Sequence, residues 1–115
     1  MKNNELQERL FRFAVDALKM LRSFEGGNDL RIISFQLGKS STSSGANYEE
    51  AQAAVSRADF GYKVGTCLKE MRESNYWLRI LAEIYPESDE IIRLTAESSE
   101  LKNILGSISL KVSPR

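Results

Sequence analysis

Apolar residues recur along this chain at spacings of three and four over four long stretches, the period of a helix that buries one face. Leu6, Leu10, Phe13, Ala17, Met20 and Phe24 form the first stripe, widened by Ala14, Leu18 and Leu21, and predict a helix over about residues 4–23. The second, about 29–56, has the seam Leu30, Ile33, Leu37, Ser40, Ser44, Asn47, Ala51, Ala54. Its spacing stays helical while its residues turn small and polar halfway along. The third, about 58–84, carries Phe60, Val64, Cys67, Met71, Ser74, Leu78 and Leu81, flanked by Leu68 and Trp77. The fourth, about 89–108, carries Ile91, Leu94, Ser98, Leu101, Leu105 and Ile108, and the tail from Ser109 to Arg115 is expected to fray. No stretch alternates with the period of two that marks a strand.

Turn signals separate these stretches at Glu25-Gly26-Gly27-Asn28 and Tyr85-Pro86-Glu87-Ser88, with a softer break near Ser56. Asn28 and Ser88 read as N-caps, and Asp29, Asp89 and Glu90 fall in first turns, where helix dipoles favour acids. Short connections between helices imply an all-α, antiparallel up-and-down four-helix bundle forming one domain over residues 1–115. Residues 38–47, GKSSTSSGAN, have poor helix propensity and admit a loop reading. The in-phase spacing favours a continuous helix whose hydroxyls bond back to carbonyls, with a kink near Gly45. Gly38-Lys39-Ser40 resembles the end of a phosphate-binding loop, but Ile33 stands where its first glycine belongs and no strand precedes it. Gly61-x-x-x-Gly65 reads as a notch for close helix packing.

Composition narrows the chemistry. The 115 residues suffice for one core, and 16 basic against 16 acidic residues give zero net charge. That argues against a strongly basic nucleic-acid binder but leaves room for a local basic patch. Histidine is absent, which removes the usual neutral-pH base and the commonest metal ligand. The single cysteine, Cys67, excludes an intrachain disulfide and, on the seam of helix three, is expected to be a buried inert thiol. No apolar run is long enough to span a bilayer and the N-terminus has no hydrophobic signal core, so the cytoplasm is the expected compartment and no membrane partner is expected.

One group of polar and aromatic residues stands out: Asn47, Glu50, Lys69, Glu70, Glu73, Tyr76, Trp77 and Arg79. Lys69 and Glu73 share a helix face. With helices two and three antiparallel about a turn near Ser56, Glu50 is expected opposite Lys69 or Arg72. An enzymatic reading makes Glu50 and Glu73 a carboxylate pair, or a di-metal site with Lys69 and Glu70 nearby. Such sites want Glu-x-x-His, so no cofactor or metal is expected and the cluster reads as a register-fixing ion network or a subunit interface. Tyr76-Trp77-Leu78 points around its helix. With Tyr48, Phe60, Tyr62 and Tyr85 it makes an aromatic surplus suited to a subunit interface, or to stacking on single-stranded bases.

Ser41-Thr42-Ser43-Ser44-Gly45-Ala46-Asn47, Glu50-Ala51, Ser56-Arg57-Ala58-Asp59-Phe60, Leu68-Lys69-Glu70, Glu73 and Tyr76-Trp77-Leu78-Arg79 together resemble the bacterial four helix bundle protein family, also called the 23S rRNA-intervening sequence or S23 family. The resemblance implies an antiparallel bundle that assembles as a homopentamer, and carries over no catalytic residue. The expectation is a non-enzymatic scaffold associated with RNA or a ribonucleoprotein, the alternative a protein–protein adaptor that docks through the aromatic band. Expected nucleic-acid contacts are Arg9, Arg12, Lys19, Arg22, Arg31 and Lys39, because bases outnumber acids seven to five over residues 1–40.

Overall fold

Each of the four stripes becomes one helix. The computed structural model describes residues 3–112, and among these the elements are α1 (Asn3–Arg22), α2 (Asn28–Ala51), α3 (Arg57–Ile84) and α4 (Asp89–Val112). They pack antiparallel in a bundle of 44 × 24 × 24 Å. Going round the bundle, α2–α3 and α3–α4 are the broadest interfaces, α1–α2 is narrower and α1–α4 narrowest, and among the described residues the backbones of diagonal helices stay apart. The core holds Leu6, Leu10, Phe13, Leu37, Val64, Met71, Leu78, Leu94 and Leu101, all essentially inaccessible to solvent.

α2 runs unbroken through residues 38–47, and its polar residues explain why. Thr42 Oγ1 donates to Gly38 O at 2.8 Å and Asn47 Nδ2 to Ser43 O at 2.9 Å, so side chains bond within the helix rather than pulling it into a loop. Gly45 faces α1, where a Cβ would stand 3.5 Å from the Leu10 carbonyl oxygen, so its lack of a side chain lets the two backbones approach.

Three boundaries differ from the sequence expectation. Gly27, not Asn28, caps α2 with extended backbone, and Asp29 Oδ1 accepts from the Leu30 amide at 2.9 Å. α2 ends at Ala51 rather than near Ser56. The amides of Ala53 and Ala54 bond back to Glu50 and Ala51 in a tight turn, and extended Ser56 caps α3 by accepting from Asp59 N at 3.0 Å. Ala54 therefore leaves the seam. Phe60 is only partly buried against the core. α4 continues past residue 108 to Val112, because Arg57 Nη2 donates to Lys111 O at 3.0 Å and Gly61 receives Val112. The rest of the expected fraying tail, 113–115, lies outside the described residues. Ser88 does cap α4, accepting from Ile91 N at 3.2 Å.

Candidate functional site

The residues grouped from the sequence resolve into separate pairs. Glu50 meets Lys63, not Lys69 or Arg72, with Nζ donating to Oε1 at 2.6 Å, which raises the Lys63 pKa. Glu50 and Lys63 stand equally far on either side of the turn at Ser56–Arg57, whereas Lys69 is about twice as far from it. Glu73 accepts from Trp77 Nε1 at 3.0 Å in place of the Lys69 pairing. Arg79 Nε donates to Asn75 Oδ1 at 3.0 Å, and its guanidinium lies 5.7 Å from the Tyr76 ring centre. Asn47 serves its own helix. Glu73 lies ten residues along α3 from the partner of Glu50, about 15 Å at 1.5 Å per residue, so the two carboxylates are not a pair. Tyr48, counted in the aromatic surplus, is buried, and burial raises its pKa. Tyr85 stacks on Phe24 at 5.2 Å, whereas Tyr62 and Tyr76 are exposed.

A buried polar layer crosses the bundle instead. Ser40 Oγ and Ser74 Oγ lie 2.8 Å apart between α2 and α3, and Ser44 Oγ donates to Cys67 O at 2.8 Å. Between α3 and α4, Asn75 Nδ2 donates to Ser98 Oγ at 2.9 Å and Ser99 Oγ at 3.0 Å, while Ser98 donates to Thr95 O. Among the described residues no buried side-chain nitrogen or oxygen lacks a partner. Asn75 holds the centre of this layer and was not picked out from the sequence. Its signal was its position one residue after the seam residue Ser74, on the α4 flank. Desolvation pushes the Cys67 thiol up to about 11 despite its contact with Ser44, so it is protonated and inert at neutral pH.

Surface charge is unevenly distributed. Arg9 forms a bidentate pair with Glu97 at 2.7 and 3.0 Å and also reaches Glu100 at 3.0 Å, which raises its pKa, so its charge is committed within the bundle. Arg93 is held by Glu90 and Asp16. These pairs fill the α1–α4 side. Arg12, Lys19, Arg22, Arg31 and Lys39 are exposed but spread over two helices, with Glu5 and Glu8 on the outer side of α1 among them. Between α1 and α2 runs a groove of about 320 Å³, lined chiefly by Leu10, Phe11, Ala14, Val15, Leu18 and Ala46.

The architecture defines an antiparallel helical bundle with a hydroxyl-lined core. Among the described residues no three His, Cys, Asp or Glu side chains gather to hold a metal, and no helix is long and apolar enough to cross a membrane. The 23S rRNA-intervening sequence protein family matches residues 2–107, and the chain belongs to this family. It is similar to a protein of unknown function of the S23 ribosomal protein family from Bacteroides thetaiotaomicron. The identity is 34%, the TM-score 0.81, and the match covers 95% of this chain and 98% of that one. No curated protein matches this chain.

Proposed function

We propose that this chain is a non-enzymatic scaffold that assembles with copies of itself as a homopentamer and associates with RNA or a ribonucleoprotein. The observation that carries the assembly is a pair of different apolar patches flanking α2. One is the α1–α2 groove, where Phe11 is 58% exposed, with Phe35, 68% exposed, two turns along α2 from Thr42 of its wall. The other lies on the α2–α3 face. The Ser40–Ser74 contact sets α2 against α3 so that Ile32 stands at about the height of Ile80 and Ile84 along the bundle. Ile32 is 61% and Ile84 47% exposed. A closed ring needs two unlike patches on each subunit, so that one copy's patch meets the other patch of its neighbour. Two apolar patches on adjacent faces of one chain fit that requirement, and large exposed apolar patches on soluble proteins mark interaction sites. Family membership and the exposed cations support the RNA half.

The absence of histidine, the separated carboxylates and the protonated, buried thiol support a non-enzymatic role. Light scattering tests the assembly: about 65 kDa is expected for five copies of the 13.0 kDa chain. Phe11→Asp and Ile84→Asp should each lower that mass. A wild-type monomer overturns the ring and leaves the adaptor reading.

A further inference from the structure

The α3–α4 face carries a strip of cations with one acid, Glu83, at its end. On α3, Gly65, Lys69, Arg72, Tyr76 and Arg79 advance by three and four, and on α4 so do Thr95, Ser99, Lys102, Gly106 and Ser109, so each set is one stripe. Bonds across the interface hold the two stripes side by side: Asn75 to Ser98 and Ser99, and Thr95 Oγ1 to Leu78 O at 3.5 Å. The one acid in line is Glu83, one turn past Arg79, where it lines a shallow pocket with Tyr76 and Arg79. Glu73 turns away to Trp77, and Glu70 shares the α2 flank with Lys63. Glu97 and Glu100 point to Arg9 on the α1 side. Among the described residues Lys69, Arg72, Arg79 and Lys102 make no ion pair.

The strip is also shaped. Leu68, Arg72, Gly106, Ser109 and Leu110 line a shallow trough of about 340 Å³. Nothing lies within 4 Å of where a Cβ would stand on Gly65 or Gly106, so backbone is open to close approach there. Arg79 is held through Nε and by the Tyr76 ring, leaving its terminal nitrogens without an intramolecular partner. The Tyr76 ring is half exposed beside it.

We infer that this face binds single-stranded RNA, with Lys69, Arg72, Arg79 and Lys102 on the phosphates and Tyr76 stacking on a base. This rests on the RNA half of the reading above and assigns it to α3 and α4 rather than to the cations of α1 and α2. Cations interleaved with an exposed aromatic ring suit an unpaired strand, whose bases are free to stack, whereas a duplex offers Tyr76 no open base face. A second copy is the poorer occupant, because the acids on its α1–α4 side are already paired with Arg9 and Arg93.

The test is fluorescence anisotropy with a labelled 20-nucleotide oligouridylate. Four phosphate contacts predict a log–log salt slope of about −3, at about 0.7 per contact for single strands. Arg72→Glu/Lys102→Glu removes two contacts and should weaken binding about 25-fold or more at 0.1 M salt by the same slope. Light scattering and circular dichroism check that this variant keeps wild-type mass and helicity, and Lys69→Ala, a milder change, should flatten the slope by about 0.7. Wild type that binds no oligonucleotide at low salt overturns the RNA half of the proposed function and this inference with it. Wild type that binds while both variants match it overturns only the inference. So does a greater loss on Arg12→Glu/Lys19→Glu, tighter binding of a duplex, or displacement by poly-glutamate at equal charge, which would mark an acidic protein as the occupant.

Discussion

The buried Ser40–Ser74 pair makes a quantitative test of how α2 keeps its shape. Both residues are fully buried, and their hydroxyls meet at 2.8 Å. Ser40 has a second, long bond at 3.4 Å to Leu37 O, whereas Ser74 has only Ser40. Ser40→Ala therefore leaves the Ser74 hydroxyl stranded in the core, at a cost of about 2 kcal/mol. Ser74→Ala leaves Ser40 its weak fallback and should cost about 1 kcal/mol. The double variant strands nothing, since both partners become small apolar groups in unchanged space, and should cost no more than about 0.5 kcal/mol. The cycle thus predicts strong non-additivity: a sum near 3 kcal/mol against a measured double near zero. Urea titration followed by circular dichroism reads these values, and thermal melts should shift by roughly 4 °C per kcal/mol for a domain of this size. Additive costs within about 0.4 kcal/mol would refute the reasoning, and so would Ser74→Ala costing more than Ser40→Ala.

Three further outcomes are expected. Asn75→Ala should destabilise by about 2 kcal/mol, because it removes the donor to Ser98 and Ser99 and the acceptor of Arg79, and urea midpoints read the loss. Cys67 is raised on folding from 9.0 to about 11, so its contribution is complete below pH 9 and lost as pH climbs towards 11, up to roughly 2–3 kcal/mol. Cys67→Ala should reduce the alkaline slope in urea midpoints between pH 8 and pH 10.5, leaving the share of Tyr48 and Lys63, and native protein should resist a thiol reagent at pH 8. Arg9→Met should cost about 1 kcal/mol or less in low salt, the partly exposed bidentate pair being screened, and the difference should shrink in 1 M salt.

The sequence alone determined the number of helices and the face each one buries, because a period of 3.6 residues fixes the angle of every side chain around its axis. Leu6, Leu10, Phe13, Cys67, Met71, Leu78, Leu94 and Leu101 were all legible as core on that ground. So was the continuity of α2 through its hydroxyl-rich middle, since Ser40 and Ser44 stay in phase with Leu37. Periodicity carries no information about the level at which one helix stands against the next. That level is set by where the chain turns, and turn residues such as Ser56 leave the preceding helix end open by several positions. Glu50 meets Lys63, which is as far past the turn at Ser56–Arg57 as Glu50 is before it, while Lys69 stands six residues, about 9 Å, further along α3. The same axial level decides that Asn75 meets Ser98 and Ser99, that Arg9 meets Glu97 and Glu100, and that Arg72 and Lys102 fall on one cationic face of a chain of zero net charge. Only the tertiary structure decided these pairings, since each needs two residues far apart in the chain to share both an angle and a height.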